Sequence, residues 1–273
     1  WPEEDHTQEA ILQATHEGVI SPILVCSERT KKIFADREAL QAVTAENPEE
    51  ASRIAVKIIR EQKADIIMKG FVNTDVLLRA ILDKEHGILL RGAVLTHITV
   101  TKIPEYPKLL FFTDAAVIPY PTEEQRKAQI KYVIDFCHAF NIDCPKISLI
   151  HCSEKVDVKH FPYTDSYNKI KKETESGLFG KCVVDGPLDL KTSCSTEAMK
   201  IKNICYPING EADALIFQDI EAGNLFYKTI TLFSHAETAA VLQGTLAPVV
   251  LSSRGDTIKS KFYSLALASL ISK

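Results

Sequence analysis

The chain has 273 residues, of which 45 % are hydrophobic and 25 % charged, and it carries a net charge of −4 at pH 7. This balance is typical of a globular protein with enough chain to bury a sizeable core, in one large domain or two of ordinary size. Charges of both signs are interspersed, which argues against a nucleic-acid-binding protein, and no apolar run approaches the roughly 20 residues that span a bilayer.

Strands and helices alternate along the chain. The chain opens without a methionine on a helix-start pattern, so we expect further residues, a first strand among them, to precede Trp1 in the native protein. The predicted elements are helix 3–17, strand 22–26, helix 48–62, strand 65–68, helix 74–84, strands 94–102 and 109–114, helix 120–140, strand 147–152, helix 163–175, strands 181–187 and 213–219, helix 221–233, strand 247–256 and helix 257–270. Short Val/Ile/Leu strands between helices predict an α/β fold with a mostly parallel sheet.

The seven cysteines are odd in number, form no C-x-x-C pair and lie mostly inside apolar runs; they are Cys26, Cys137, Cys144, Cys152, Cys182, Cys194 and Cys205. This usage predicts reduced, mostly buried thiols of a cytoplasmic protein rather than disulfides or zinc ligands. No His/Cys/carboxylate cluster has metal-ligand spacing. His97 lies in a β-rich run and is interpreted as a satisfied or surface histidine.

Small, polar and charged residues follow five of the predicted strands. They are Lys69, Gly70, Asn73 and Thr74; Thr113 and Asp114; Asp185 and Gly186; Asp219, Gly223 and Asn224; and Ser252, Ser253, Arg254, Gly255 and Asp256. In open α/β sheets, ligands lie beyond the carboxyl ends of the strands. The recurrence of such residues therefore indicates a binding site rather than a set of unrelated turns.

Two of these junctions combine positive charge with a helix start. At Asn73-Thr74 the free backbone N–H groups and the helix dipole favour an anion, and Lys69 and Arg79 add charge. The alternative is that Asn73 or Thr74 merely caps the helix.

The second such junction is Ser253-Arg254. The Arg254 guanidinium can hold a phosphate or carboxylate through two hydrogen bonds, beside hydroxyls and the flexible Gly255. For Asp256 the alternative is again a cap, on the helix that starts at Thr257.

Standard nucleotide and hydrolase motifs are missing. No G-x-G-x-x-G follows a strand, no G-x-S-x-G is present, and "GLFGK" (177–181) has the wrong spacing for a phosphate-binding P-loop.

Five stretches resemble the phosphate acetyl/butyryltransferase family, and more closely its butyryl branch. They read "IIMKGFVNTDVLLRAILDKEHGI", "FFTDAAVIPYPT", "VVDGPLDL", "GEADALIFQDIEAGNLFYKT" and "APVVLSSRGDT", in order and with sensible spacing. The resemblance implies a two-lobed α/β fold similar to that of isocitrate and isopropylmalate dehydrogenases, with the active site in the cleft between the lobes. One lobe would comprise residues 1–119 and 241–273 and the other residues 120–240, with Pro-Tyr-Pro at 119–121 as a candidate hinge.

Members of this family move an acyl group reversibly between coenzyme A and inorganic phosphate. The resemblance therefore implies a cytoplasmic enzyme that uses coenzyme A as a substrate, with no tightly bound cofactor, no metal, and a homodimer or larger homo-oligomer as its assembly. It implies that Ser253 stabilises the thiolate or the oxyanion and that Arg254 binds phosphate. The implied substrate-binding residues are Lys69, Gly70, Asn73, Thr74, Arg79, Asp114, Asp219, Asn224 and Lys228.

One position departs from the family pattern. The acetyl branch has a carboxylate, thought to be the base, where this chain has Ser260. We assign Asp256 as the base instead. A free thiol with a pKa near 8.5 is about 3 % ionised at pH 7, so a base supplies at most about 2 kcal/mol to this step.

Three alternatives stay open on the sequence alone. The first is an acetyl-specific phosphate acyltransferase, because the depth of an acyl pocket depends on side-chain packing. The second is an NAD-dependent 2-hydroxy acid dehydrogenase of similar fold, which needs a divalent metal on an aspartate cluster such as Asp213 and Asp219. The third is a non-catalytic protein that binds coenzyme A or an acyl phosphate, which the missing carboxylate favours.

Overall fold

A computed structural model describes residues 1–35, 40–252 and 255–272. Its elements in chain order are α1 (Asp5–His16), β1 (Ile23–Cys26), α2 (Glu28–Ile33), β2 (Gln41–Thr44), α3 (Pro48–Arg60), β3 (Ile67–Met68), α4 (Thr74–Ile81), β4 (Thr96–Lys102), β5 (Leu110–Thr113), α5 (Glu123–Ala139), β6 (Lys146–Ile150), α6 (Thr164–Glu175), β7 (Val183–Leu188), α7 (Leu190–Cys194), α8 (Thr196–Lys202), β8 (Ala214–Ile216), α9 (Ile220–Phe233), β9 (Glu237–Gln243), β10 (Val249–Val250) and α10 (Ile258–Ile271). Every predicted element is present. The prediction missed α2, β2, α7, α8 and β9, which are short or lack a clear apolar period.

The contacts divide the chain into two compact units, residues 1–95 with 238–273 and residues 96–237, which we call the first and second units. Their boundaries lie at other positions than those of the predicted lobes, 1–119 with 241–273 and 120–240. The division into those lobes stays a prediction.

In the first unit, β1 pairs with β2 and β3 pairs with β10, both in parallel, and β9 runs antiparallel to β10. The helix α3 begins as its sequence predicts. Pro48 occupies the first turn, and the side chain of Asn47 accepts a hydrogen bond of 2.9 Å from the N–H of Glu50. Its buried face, Ala51, Val56 and Ile59 among others, packs toward the core of this unit.

In the second unit the strand order is β4-β5-β8-β6-β7. The strands β5, β8, β6 and β7 are parallel, whereas β4 and β5 form an antiparallel pair because only a short loop joins them. Phe112, Leu215 and Phe217 belong to the apolar core on this sheet. The carboxyl ends of the four parallel strands lie at one edge of the sheet, so the prediction of an α/β fold with mostly parallel pairing is confirmed.

The prediction for Asp185 and Gly186 is wrong, because both lie inside β7 rather than beyond its end. The Asp185 carboxylate is 2.6 Å from the Lys171 ammonium. A Cβ on Gly186 would lie 2.5 Å from the carbonyl oxygen of Leu149, so glycine here permits a close approach of neighbouring strands.

The prediction of mostly buried thiols is also wrong. All seven cysteines are free, but only Cys26 and Cys137 are buried, while Cys144, Cys152 and Cys205 are exposed. The exposed ones lie in loops just outside the strands and helices that the apolar runs form. Within the described ranges, no helix has both the length and the apolar character needed to cross a bilayer.

Candidate functional site

Two of the predicted site segments follow neighbouring strands of the first unit. Because β3 and β10 are parallel, Lys69-Gly70 and Ser252 emerge side by side. The N–H of Lys69 donates to the carbonyl oxygen of Val250 at 2.9 Å, and the Ser252 hydroxyl is 3.4 Å from the carbonyl oxygen of Lys69. The predicted catalytic residues Ser253 and Arg254 come next in the chain and lie outside the described residues.

The Lys69 side chain is buried, with 5 % of its surface exposed. Its ammonium donates to the carbonyl oxygens of Gly70 at 3.2 Å and Val72 at 3.1 Å, so it ties down the loop between β3 and α4. A Cβ on Gly70 would lie 2.3 Å from the carbonyl oxygen of Trp1, which explains the glycine after the lysine. The role of Lys69 and Gly70 in holding phosphate stays a prediction.

The helix α4 starts after Asn73, whose side chain makes no capping hydrogen bond. The alternative that the Asn73 side chain caps the helix is therefore wrong. Thr74 is exposed in the first turn, and Arg79 is held by Asp75 at 2.5 Å.

Lys69 and Arg79 line different cavities of the first unit, and the joint role of Lys69, Thr74 and Arg79 in binding an anion stays a prediction. Lys69 lines a cavity of about 560 Å³, mostly apolar, within the first unit. Arg79 instead lines a groove of about 790 Å³ between α3 and α4, with Arg53 and Arg60.

The cap on α10 is Thr257, whose side-chain oxygen accepts from the N–H of Ser260 at 3.1 Å. Asp256 precedes this residue, so the alternative that Asp256 is the cap is wrong. The Ser260 hydroxyl, at the position of the acetyl-branch carboxylate, is 3.1 Å from the Thr238 hydroxyl. Asp256 as the base stays a prediction.

In the second unit, Asp114 follows β5 and is buried, with 2 % of its surface exposed. Its carboxylate accepts five hydrogen bonds. They come from the N–H groups of Ala116 (2.8 Å), Val117 (2.9 Å), His97 (3.2 Å) and Ile118 (3.3 Å) and from the hydroxyl of Thr96 (2.8 Å). A carboxylate offers about four lone pairs, so these donors saturate it. Asp114 therefore shapes the loop after β5, and its role in binding substrate stays a prediction.

The first turn of α9 rests on this loop. The Asp219 carboxylate caps the helix by accepting from the N–H of Ala222 at 2.8 Å. A Cβ on Gly223 would lie 2.1 Å from the carbonyl oxygen of Asp114, and the Asn224 side-chain amide donates to the carbonyl oxygen of Ala115 at 2.9 Å. Asp219 therefore caps α9, Gly223 permits the helix to approach the backbone of Asp114 closely, and Asn224 fixes this contact by a hydrogen bond.

Lys228 lies one turn after Asn224 on α9, so both occupy the same face of the helix, and its side chain is exposed. The structure thus places Asp114, Asp219 and Asn224 in one cluster at the carboxyl edge of the second unit's sheet, with Lys228 on the helix face beside it.

We expect Lys228→Ala to raise KM for phosphate or coenzyme A about tenfold, because an exposed ammonium on this face is suited to an anionic substrate. The free energy of unfolding should stay within about 0.5 kcal/mol of the parent value, since the side chain is exposed. Steady-state kinetics and urea unfolding measure the two quantities. Thr229→Ala, an exposed neighbour on the same helix, is the control, and an equal loss in both variants would remove Lys228 from the site.

Arg126 supports the loop that carries Asp219, although no sequence motif singles it out. It is 1 % exposed, and its guanidinium donates to the carbonyl oxygens of Phe217 at 3.1 Å and Pro121 at 3.3 Å. It also stacks on the rings of Tyr163 at 5.9 Å and Tyr167 at 5.2 Å. Burial lowers the pKa of Arg126, while both phenols and Asp219 oppose that shift.

These contacts hold the segment between β8 and α9, which carries Asp219. The sequence signal for its burial is its position on α5: Arg126 occupies the same helix face as the apolar residues Ile130, Val133 and Cys137.

The aspartate cluster that a dehydrogenase would need is not assembled. Asp213 precedes β8 and Asp219 follows it, so the strand separates them. Asp213 is 2.6 Å from the Lys108 ammonium and accepts from the N–H of Lys146 at 2.8 Å. Within residues 1–35, 40–252 and 255–272, no group of three His, Cys, Asp or Glu is placed to hold a metal ion. His97 is buried, and its ring nitrogen lies 3.5 Å from the Thr99 hydroxyl.

Comparisons with known proteins agree with the resemblance. The sequence profile described as phosphate acetyl/butaryl transferase matches residues 38–269. The chain is 36 % identical to the phosphate butyryltransferase of Clostridium beijerinckii over 268 residues, which cover 96 % of this chain and 88 % of that protein. It is 33 % identical to the phosphate acetyltransferase of Thermotoga maritima over 272 residues, which cover 98 % of this chain and 92 % of that protein.

Solved structures extend the comparison. A branched-chain phosphotransacylase from Enterococcus faecalis superposes with a TM-score of 0.85 at 26 % identity, covering 99 % of this chain and 96 % of that chain. A 4-hydroxythreonine-4-phosphate dehydrogenase from Klebsiella pneumoniae superposes with a TM-score of 0.53 at 10 % identity, covering 98 % and 96 % of the two chains. This second likeness concerns the fold alone and agrees with the predicted relation to dehydrogenase folds.

Proposed function

The chain belongs to the phosphate acetyl/butyryltransferase family, and from this premise we propose that it transfers a short-chain acyl group reversibly between coenzyme A and inorganic phosphate. The observation that carries the proposal is the profile match over residues 38–269, which includes parts of both compact units. The reaction needs no redox cofactor: the thiol of coenzyme A attacks an acyl phosphate, and phosphate leaves from a tetrahedral oxyanion. Coenzyme A is therefore a substrate, and no tightly bound cofactor is proposed.

We propose butyryl as the preferred acyl group. The phosphate butyryltransferase of Clostridium beijerinckii and the branched-chain phosphotransacylase of Enterococcus faecalis support an acyl group larger than acetyl. The likeness to the Thermotoga maritima acetyltransferase keeps the acetyl-specific enzyme as the second candidate.

The test is the release of free coenzyme A from acetyl-, propionyl- and butyryl-coenzyme A, each with and without phosphate. We expect release that depends on phosphate and is fastest with butyryl-coenzyme A. Fastest release with acetyl-coenzyme A would establish the acetyl-specific enzyme, and no release from folded protein would overturn the proposed activity in favour of binding alone.

The proposed roles follow the chemistry of the step. Ser253 stabilises the thiolate or the oxyanion, and the loss of one such donor typically costs about 10²–10³ in rate. Arg254 binds phosphate, Asp256 accepts the thiol proton, and Lys69, Gly70, Asn73, Thr74 and Arg79 supply the anion-binding surface of the first unit. Asp219, Asn224 and Lys228 belong to the substrate-binding surface of the second unit.

Replacing Arg254 with alanine should raise KM for phosphate about 10²-fold, because the bidentate contact with the anion is lost. Arg254→Lys should recover only part of this loss, since an ammonium does not reproduce the planar fork. Initial rates at varied phosphate measure the effect, and thermal unfolding shows whether the variants are folded. Unchanged phosphate kinetics in folded Arg254→Ala would remove Arg254 from its assigned role.

We further propose that the enzyme is cytoplasmic and forms a homo-oligomer. Seven free cysteines suit a reducing compartment. Leu225 and Leu232, seven residues apart on α9, are 68 % and 66 % exposed and offer an apolar stripe for a second copy. Sedimentation of the wild type and of Leu225→Lys tests the assembly; a monomeric wild type would overturn it.

A further inference from the structure

A thiol, an imidazole and a phenol lie in series just after β6, outside the residues assigned above. His151 is buried, with 3 % of its surface exposed, and Cys152 is exposed. The Nε2 atom of His151 is 3.7 Å from the Sγ atom of Cys152, and its Nδ1 atom is 2.7 Å from the hydroxyl of Tyr163. The rings of Phe161 and Tyr163 pack edge-on against the imidazole at 4.7 Å and 5.7 Å and hold its orientation.

This arrangement is that of an activated nucleophile: a thiol within reach of a base, and the base oriented by a third group. Burial lowers the pKa of His151, against the opposing charge of Asp157, so the imidazole is neutral near pH 7 and can accept a proton. Burial also raises the pKa of Tyr163 to about 12, so the phenol keeps its proton. When Nδ1–H donates to the Tyr163 oxygen, the Nε2 lone pair faces the thiol.

None of the other six cysteines makes such a contact in the described part of the chain. Burial raises the pKa of Cys26, Cys137, Cys182 and Cys194, which makes them poor nucleophiles. Cys144 and Cys205 are exposed like Cys152, but no imidazole lies within hydrogen-bonding distance of either. They are therefore matched controls.

The thiol lies at the same edge of the sheet as the cluster of Asp114, Asp219 and Asn224. Leu149 of β6 is in register with Ile216 of β8, so Cys152 and Asp219 each come three residues later along neighbouring parallel strands. The Tyr163 hydroxyl is 2.7 Å from Nδ1 of His151, and the negative charge of Asp219 contributes to the raised pKa of this phenol, so Tyr163 lies between the thiol and Asp219 in electrostatic terms.

We propose that Cys152 is a covalent acyl-acceptor site for thioesters of coenzyme A, a modification that rests on the proposed function for its acyl donor. The Cys152 sulfur attacks the thioester carbonyl as its proton passes to Nε2 of His151. The carbon–sulfur bond to coenzyme A then breaks, and the departing thiolate takes the proton from His151. The products are S-acyl-Cys152 and free coenzyme A, so no oxidant or further reactant is needed.

The first test is the intact mass of the full chain after incubation with butyryl-coenzyme A in the absence of phosphate. We expect one butyryl group per chain, located on the peptide that contains Cys152 and removed by neutral hydroxylamine, as thioesters are. The adduct should be absent in Cys152→Ala and unchanged in Cys144→Ala and Cys205→Ala. No adduct on wild-type protein, or the same adduct on Cys152→Ala, would overturn the proposal.

The second test measures thiol reactivity without any substrate. Iodoacetamide at pH 7 should alkylate Cys152 about tenfold faster than Cys144 or Cys205, and His151→Gln should abolish the difference and alter its pH profile. Equal rates at the three cysteines would overturn the activation by His151.

Phosphate-dependent release of coenzyme A, measured on the same protein preparations in parallel reactions with added phosphate, separates the two proposals. An adduct without such release would overturn the proposed function alone, and release without an adduct would overturn the acyl-acceptor site alone.

Discussion

Asp114→Ala is expected to lower the free energy of unfolding by about 3–5 kcal/mol and to abolish measurable transferase activity. The substitution leaves five hydrogen-bond donors without their acceptor at a position that is 2 % exposed. Each unsatisfied buried donor costs about 1–3 kcal/mol, although relaxation of the loop recovers part of the sum. A domain of this kind has only about 5–15 kcal/mol in total, so the loss is a large share.

Urea unfolding followed by circular dichroism measures this loss, and the coenzyme A release assay measures the activity. Asp114→Asn should lie between the parent and the alanine variant, because its amide keeps one acceptor oxygen but turns an N–H group toward other donors. Asp219→Asn is the control carboxylate for the free energy of unfolding only, since asparagine caps a helix about as well as aspartate. A cost below about 1 kcal/mol for Asp114→Ala would show that the five hydrogen bonds do not hold the loop.

Gly223→Ala is expected to destabilise the protein by about 1–3 kcal/mol and to lower kcat/KM by about 10²-fold. In an exposed helix the same change stabilises by about 1 kcal/mol, because alanine is the better helix former. Here the new Cβ would lie 2.1 Å from the carbonyl oxygen of Asp114 and 3.0 Å from its carbon, both backbone atoms that cannot rotate away. The clash therefore outweighs the propensity, and α9 must shift with Asp219, Asn224 and Lys228.

The sign of the stability change decides this prediction. Gly255→Ala is the control substitution for stability, because no atom of the described residues beyond its chain neighbours lies within 4 Å of its added Cβ. We expect no loss of stability there. A Gly223→Ala variant as stable as the parent, with unchanged kcat/KM, would mean that α9 does not depend on close contact with the Asp114 loop.

Much of this fold was predictable because the relevant signals are local. The Asn47-Pro48 start of α3 and the capping pair Thr122 and Gln125 of α5 lie within a few residues of the helices they begin. Apolar strand runs placed β5 and β8 correctly, and with them the loops that carry Asp114 and Asp219. The family was also readable from the order and spacing of short motifs, which the profile match over residues 38–269 then established.

The roles of individual side chains were less predictable, because they depend on residues far apart in the chain. The sequence around Asp114 does not show that Thr96 and His97, on another strand, donate hydrogen bonds to its carboxylate. Asp185 was predicted to lie at a strand end, because a Gly-Pro pair such as Gly186-Pro187 ordinarily ends a strand. In the structure β7 continues through this pair.

Hydrophobic period, helix-start signals and motif order by themselves determined most of the described elements of this protein and its family, because each acts over a few residues. Only the tertiary structure decided that Arg126 is buried against the segment before α9, that Gly223 meets the backbone of Asp114, and that His151 stands between Cys152 and Tyr163. The physical reason is that hydrogen bonds and close packing act over a few ångströms. Which atoms come that close is set by strand order and register.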